Sequence, residues 1–73
     1  MPSGAQIRAA RALLHVSQQD VSNWTGMSKT NLNHIENGSD PRRSTLDAIR
    51  LVFEARGIRF VETDGEVGVM LAK

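Results

Sequence analysis

Residues 17–38, SQQDVSNWTGMSKTNLNHIENG, hold two short helical patterns with a glycine between them. Ser17 and Asp20 have the spacing of a capping box, in which each side chain accepts a hydrogen bond from the other residue's backbone amide. Gly26 ends the first pattern, and a serine opens the second pattern shortly after it. The stretch therefore predicts two helices that meet at a sharp turn. The predicted helices are Gln18–Thr25 and Lys29–Asn37.

The second of these helices has one apolar side and one polar side. Leu32 and Ile35 are expected to pack against Val21 across the turn, which leaves the polar side exposed. That side carries Lys29, Thr30, Asn31, Asn33 and His34. The major groove of DNA admits one helix, in which Asn can pair with adenine and Lys can reach guanine. The other interpretation is a plain solvated face, although such faces more often carry Glu and Lys at four-residue spacing.

Two further helical patterns flank this unit. Ser3 and Gln6 repeat the capping-box spacing and predict a helix from Gly4 to Leu14. Ser44 and Asp47 have a similar spacing and predict a helix that begins there and ends near residue 56. The expected apolar faces are Ile7, Ala10, Leu13 and Leu14 in the first helix, and Leu46, Ile49, Leu51, Val52 and Phe53 in the last.

The residues after this last helix change to an extended pattern. Asp64 and Gly65 lie between two apolar-rich runs, residues 58–63 and 66–71, and Asp-Gly in that position is a strong hairpin signal. A two-residue turn pairs residue 63 with residue 66 and residue 58 with residue 71. The predicted fold class is mainly α, with four helices followed by a C-terminal β-hairpin. We expect one domain, in which residues 1–57 bind DNA and residues 58–73 form the hairpin.

Composition excludes several other classes of protein. The chain has 73 residues and no cysteine, which leaves room for one small domain without disulfides or thiolate metal sites. We find no nucleophile–base pair and no ligand set, and we therefore expect no enzymatic activity, no cofactor and no metal.

No apolar run is long enough for a membrane span, and a signal-peptide pattern is missing. We therefore expect a cytoplasmic protein with no membrane partner. The formal net charge is only +1, with the basic excess in residues 1–43.

Three stretches carry a resemblance to a known family: SQQDV at residues 17–21, GMSKTNL at residues 26–32 and IENG at residues 35–38. Together they resemble the helix-turn-helix of the XRE family, the Cro- and phage-repressor-like DNA-binding proteins. The resemblance covers about residues 5–57, and the C-terminal hairpin resembles that of a subgroup of short members. It implies a lambda-repressor-like fold and a sequence-specific transcriptional regulator, a repressor or dual regulator, in a bacterial or phage setting and nucleoid-associated when bound.

The resemblance also implies a role for individual residues. Base contacts are expected from Ser28, Lys29, Thr30, Asn31, Asn33 and His34. Phosphate contacts are expected from Ser17, Gln18, Asn37, Arg42 and Arg43. Gln18 is expected to support a side chain of the recognition helix as well. Arg11 and Glu36 match a structural salt bridge of the family.

Two positions depart from the family pattern. Trp24 stands where a charged residue is usual; it is expected either to pack at the edge of the core or to belong to a partner surface. His34 stands where Arg or Gln is common; it is either a solvated residue near the groove or a group whose charge changes with pH.

A single recognition helix offers few base contacts, while gene control needs about 4–10 kcal/mol of discrimination. Two-fold symmetric dimers double the contacts by reading two half-sites about 34–36 Å apart. We therefore expect a homodimer on a palindromic operator. The hairpin is expected to form the dimer contact, because an isolated hairpin is only marginally stable and has unpaired edges. The expected dimer interface is Phe60, Val61, Val67, Val69 and Met70.

Two other functions remain open at this point. An antitoxin of a toxin–antitoxin pair would use the same fold to repress its own operon, and would bind a second protein through Trp24 or the hairpin. A protein-interaction adaptor that has lost DNA binding is the third alternative. The groove-facing set and the Arg42–Arg43 pair argue against the adaptor.

Overall fold

The computed structural model describes residues 2–73, so Met1, the first residue of the expected DNA-binding region, lies outside the described residues. The elements in chain order are α1 (Gly4–Leu14), α2 (Gln18–Thr25), α3 (Lys29–Glu36), α4 (Arg43–Glu54), β1 (Ile58–Thr63) and β2 (Glu66–Leu71). This is the predicted architecture, four helices followed by a two-stranded antiparallel sheet. None of the helices in the described part of the chain is long and apolar enough to cross a membrane.

The first two helices begin with the predicted capping boxes. The Ser3 hydroxyl accepts from the Gln6 amide at 3.2 Å, and the Gln6 side chain accepts from the Ser3 amide at 2.8 Å. Ser17 and Asp20 form the same reciprocal pair at 3.1 and 2.9 Å. Each box satisfies two amides that the helix itself leaves without partners, and the bounds of α1 and α2 are those expected from the sequence.

The third helix is one residue shorter than predicted. Asn37 is its C-cap rather than its last residue, and Gly38 follows in the left-handed region at φ 104°. The Ser39 amide donates to the His34 carbonyl at 3.0 Å, and the Gly38 amide donates to Ile35 at 3.1 Å. These two bonds form a Schellman motif, which ends the helix at this point.

The prediction that Ser44 caps the fourth helix is wrong. The carbonyl of Arg42 accepts from the amides of Thr45 and Leu46 at 3.0 and 3.1 Å, so the helix begins at Arg43. Ser44 therefore lies inside the first turn, where it cannot cap. The helix also ends at Glu54, earlier than expected.

One core cluster joins all the elements. Its buried members are Ile7, Ala10, Val21, Leu32, Ile35, Ile49, Phe53 and Ile58. Leu51 is 58 % exposed, which contradicts its expected place on the apolar face of α4. Residues two apart lie on different sides of a helix, and burial of Ile49 and Phe53 therefore directs Leu51 outward. Leu13 is likewise 39 % exposed, at the end of α1.

The hairpin has the predicted register, with Thr63 paired to Glu66 and Ile58 paired to Leu71. Gly65 adopts φ 83° at the turn, as a tight Asp-Gly turn requires. The inner face packs on the core through Ile58, Phe60, Val69 and Leu71. The outer face, which alternates with it, is Arg59, Val61, Thr63, Glu66, Gly68 and Met70.

Helix α1 is the support to which the hairpin and the third helix are both attached. The hairpin packs on α1 and α4, whereas α3 packs on α1 and α2. The side-chain amide of Gln6 donates to the carbonyls of Val61 and Gly68 at 3.0 and 2.9 Å, so it joins α1 to a cross-strand pair. The outer side of α3 is therefore left clear of the hairpin.

Candidate nucleic-acid interface

The turn between α2 and α3 is fixed by local hydrogen bonds. Gly26 caps α2 at φ 77°, a left-handed conformation that glycine adopts without strain. The Ser22 hydroxyl donates to the Met27 carbonyl, and the Thr25 hydroxyl accepts from the Met27 amide at 3.2 Å. These bonds tie the carboxyl end of α2 to the turn that precedes α3.

Helix α3 turns its polar side to solvent, as the sequence predicts. Leu32 is fully buried and Ile35 is 5 % exposed, and both belong to the core with Val21 of α2. The five expected base-reading residues of the helix itself are all exposed: Lys29, Thr30, Asn31, Asn33 and His34. Helix α3 therefore offers a continuous polar surface of donors and acceptors.

Glu36 holds α3 on the buried side of the helix. It is 5 % exposed, and its carboxylate accepts from Arg11 Nε at 2.7 Å and Arg11 Nη2 at 2.8 Å, a bidentate pair. This confirms the expected salt bridge. The hydrogen bond to Glu36 raises the pKa of the Arg11 guanidinium above its usual value, while burial opposes the rise. Arg8 adds a bond from Nη2 to the Glu36 carbonyl at 2.9 Å, at the carboxyl end of the helix.

Gln18 connects this anchor to the polar side of α3. Its amide nitrogen lies 3.4 Å from both Glu36 Oε1 and Asn33 Oδ1. A carboxylate paired to arginine can only accept, so Gln18 directs its NH₂ group inward and Asn33 must present its oxygen to that group. The NH₂ group of Asn33 is then directed away from Gln18 and can donate to a hydrogen-bond acceptor outside the chain.

Asn37, an expected phosphate contact, is exposed but already engaged with its neighbours. Its side-chain NH₂ donates to the Asn33 carbonyl at 2.8 Å, and its oxygen accepts from Arg8 Nη2 at 3.2 Å. The structure therefore joins Asn37 to the network that orients α3.

Two expected contacts, Ser17 and Ser28, act as helix caps. The Ser17 hydroxyl accepts from the Asp20 amide and the Ser28 hydroxyl accepts from the Asn31 amide, each at 3.1 Å. Their O–H hydrogens remain able to donate to a phosphate. The Ser17 backbone amide is committed to Asp20 Oδ2 at 2.9 Å, so only its hydroxyl can serve.

Arg42 and Arg43 lie exposed where α4 begins. The amino end of a helix carries a partial positive charge and free amides, which favours phosphate. Two guanidinium groups at that end add charge-assisted donors for phosphate oxygens. Arg42 takes the N-cap position without a side-chain cap, so its side chain is not used by its own helix.

Trp24 is half-buried and packs at the edge of the core. Its ring meets Phe53 edge to face at a centroid separation of 6.2 Å, and the Arg56 guanidinium lies 3.7 Å from its ring centre. These contacts agree with the interpretation of Trp24 as a core-edge residue.

The five expected dimer residues do not lie on one face. Phe60 and Val69 belong to the inner face, and Phe60 meets Phe53 edge to face at 6.0 Å. Val67 shares that face but is 55 % exposed near the turn. Val61 and Met70 belong to the outer face, where Met70 is 51 % exposed.

Sequence reasoning missed two residues that position the interface. Gln6 was expected only as a capping partner, yet it is 3 % exposed and holds the hairpin. A Cβ atom on Gly4 would lie 2.3 Å from the Ile35 carbonyl oxygen, so the first turn of α1 lies directly against the last turn of α3. A buried glutamine contact and a close backbone approach leave no periodic signal in a sequence.

Within residues 2–73, no cluster of three His, Cys, Asp or Glu side chains is arranged to hold a metal ion. In a comparison with known families, residues 4–53 match a family described as a helix-turn-helix domain. The matched segment contains α1, α2 and α3 and nearly all of α4. No curated protein matches the chain.

Proposed function

The chain belongs to the helix-turn-helix domain family of DNA-binding proteins, and we propose that it is a sequence-specific transcriptional regulator of the XRE type. In this proposal it acts as a homodimer that occupies a palindromic operator and represses transcription. Helix α3 enters the major groove, and the surrounding loops and helix ends bind the backbone.

One observation carries the proposal. Every residue on the outward side of α3 is polar and exposed, while the inward side is fixed by Leu32, Ile35 and the paired Glu36. Stability alone gives no reason for such a surface, because Asn is a poor helix former. A surface of hydrogen-bond donors and acceptors that is held in place by buried contacts on the opposite side of its helix is suited to reading base edges.

The residues divide into two roles. Lys29 and Thr30, in the first turn of α3, are proposed to contact bases, together with Ser28, Asn31, Asn33 and His34. Arg42 and Arg43 are proposed to bind phosphates, with Ser17, Gln18 and Asn37. Phosphate contacts set affinity and orientation, and base contacts set sequence preference.

Dimerisation follows from the size of the reading surface. One helix of eight residues gives few base contacts, each worth about 1–3 kcal/mol of discrimination. A second copy doubles the readout and explains why a symmetric operator is expected. Residues 58–73 are the proposed dimerisation element within the single domain.

The test is selection of bound duplexes from a random pool by the purified protein, followed by sequencing. The proposal predicts a palindrome whose half-sites lie about one helical turn apart. Enrichment of a single half-site without symmetry would contradict the dimer and leave sequence-specific binding in place. No enrichment by a protein that circular dichroism shows to be folded would contradict the regulator. That result would favour the protein-interaction adaptor, or the antitoxin alternative in which a second protein completes the DNA-binding unit.

A further inference from the structure

The outer face of the hairpin has a glycine that the chain's own fold does not require. Gly68 has no left-handed φ, and an added Cβ would meet only Val61 Cγ2, at an ordinary 3.8 Å. Every other glycine is explained by a left-handed φ or, for Gly4, by close approach to α3. Glycine within a strand weakens it, and often marks a place where another backbone or a ligand comes close.

The same face has charges of opposite sign at its two ends. Arg59 lies at the open end of the hairpin, opposite Met70, and Glu66 lies beside the turn, opposite Thr63. Arg59 donates to the Met70 sulfur at 3.2 Å, and none of the salt bridges within residues 2–73 involves Arg59 or Glu66. Both charged groups are therefore available to a partner.

Between these charged ends the centre of the face is small and apolar. Val61 and Gly68 form the central cross-strand pair, and Gln6 holds their carbonyls in place through its side-chain amide. Met70 adds a flexible apolar side chain that is 51 % exposed. The face thus has an apolar centre, one basic end and one acidic end.

Such a face is complementary to itself. A two-fold axis that lies between two stacked hairpins, perpendicular to the strands, brings the Arg59 end of one copy over the Glu66 end of the other, twice. The central glycines meet near the axis and let the two sheets approach. Any other partner would need an acidic group opposite Arg59 and a basic group opposite Glu66 to match this face.

We propose that two copies of this chain pack face to face through the outer face of the hairpin, with Arg59 of each copy beside Glu66 of the other. This inference rests on the dimer in the proposed function and specifies its geometry. It replaces the broader interface set with Val61, Gly68 and Met70 between the charged ends, because Phe60 and Val69 are used by the core. The face is small compared with a standard interface, so a dissociation constant in the micromolar range is expected.

Charge reversal in trans tests the geometry directly. Arg59→Glu alone and Glu66→Arg alone each convert both attractive contacts into repulsive ones, and each should weaken self-association by about tenfold. An equimolar mixture of the two variants restores both opposite-charge contacts in the heterodimer. Sedimentation equilibrium of each variant and of the mixture, at matched total concentration, should show association of the mixture at the wild-type level.

Two further variants separate this geometry from other dimers. Glu62→Arg makes the same change of charge as Glu66→Arg on the same hairpin, but on the inner face, and should leave association unchanged. Gly68→Gln adds bulk at the centre without charge. It should abolish face-to-face packing while circular dichroism shows a folded monomer, whereas pairing along a strand edge would survive it.

The possible results separate this proposal from the proposed function. A wild-type dimer that Arg59→Glu and Gly68→Gln leave intact would overturn this face and keep the dimer. A wild-type protein that is monomeric up to about 1 mM would overturn the face and the solution dimer together. Sequence-specific DNA binding is measured separately, by the selection from random duplexes. Its failure is therefore distinguishable from failure of the dimer.

Discussion

Helix α3 and the hairpin are both attached to α1, but by different forces. Helix α3 is held by its buried apolar residues Leu32 and Ile35 and, in addition, by an ion pair, in which the buried carboxylate of Glu36 accepts from Arg11 at 2.7 Å. The hairpin is held through apolar side chains of its inner face and through one buried amide, that of Gln6. Each element keeps a face that the fold does not use: the polar side of α3 and the outer face of the hairpin.

Helix α3 and the hairpin should therefore respond differently to substitution of the side chains that hold them. A charge pair has a strict geometry and a high cost when one partner is removed, so it fixes the orientation of α3. Apolar packing is less directional and tolerates small shifts of the hairpin. In the proposed function α3 reads bases, which requires a fixed orientation, and α3 is the element that the buried ion pair holds.

The largest effect is expected from Glu36→Ala. This change removes the carboxylate that pairs Arg11 and leaves a half-buried guanidinium without its partner, at a cost of about 3 kcal/mol. Urea unfolding followed by circular dichroism measures it. Glu54→Ala is the matched control, because Glu54 pairs with Arg50 on the surface and its loss should cost under about 1 kcal/mol. Equal losses in the two variants would show that the Glu36 pair has no special role.

Gly4→Ala should separate α1 from α3. The added Cβ would lie 2.3 Å from the Ile35 carbonyl oxygen, so one helix has to move, at about 2 kcal/mol. Gly68→Ala is the control with room for its Cβ, 3.8 Å from Val61 Cγ2, provided that both variants are compared as monomers, below the micromolar range of the proposed dimer. Thermal unfolding should show a fall of roughly 10 °C for the first variant and little change for the second. A rise in the melting temperature of Gly4→Ala, as its higher helix propensity alone would give, would contradict the close approach.

Gln6→Ala should loosen the hairpin and leave α3 in place. It removes the two hydrogen bonds to the Val61 and Gly68 carbonyls. Their loss should lower the free energy of unfolding by about 1 kcal/mol, in addition to the loss of the capping contact. Hydrogen exchange should become faster in the strand amides before it does so in α3. Equal acceleration throughout the chain would mean that the two elements are not held separately.

The smallest effect is expected from His15→Gly, which should stabilise the protein. His15 caps α1 at φ 57°, where a side chain costs about 1 kcal/mol relative to glycine. The free energy of unfolding should therefore rise by about that amount. The amides of α3 and of the hairpin should exchange in the same order as in the wild type. A decrease would show that the imidazole makes a contact that outweighs the backbone strain.

Local signals account for the parts of the fold that could be predicted. Capping boxes at Ser3 and Ser17 fixed the starts of two helices, and Asp64-Gly65 fixed the register of the hairpin. These signals depend on residues within a few positions of each other. The prediction that Ser44 caps α4 is wrong because the Arg42 carbonyl, two residues earlier, accepts the first helical hydrogen bonds.

Long-range contacts account for what could not be predicted. Gln6 bonds to residues more than 50 positions away, and no pattern near Gln6 indicates this. The strand pairing of the hairpin was predicted, but pairing alone does not indicate that Val67, on the inner face, is 55 % exposed near the turn. The roles of the α3 side chains in reading bases stay predictions, since they concern a partner rather than the fold.

The central claim is that the outer side of α3 reads bases while Arg42 binds phosphate. The most direct measurement compares Thr30→Ala with Arg42→Ala, on the selected operator and on a scrambled duplex, over a range of salt concentrations. Thr30→Ala should reduce the ratio of the two affinities by about tenfold, and Arg42→Ala should weaken both equally and lower the salt slope by about one. The account is contradicted if Thr30→Ala leaves the ratio unchanged, or if Arg42→Ala alters sequence preference alone.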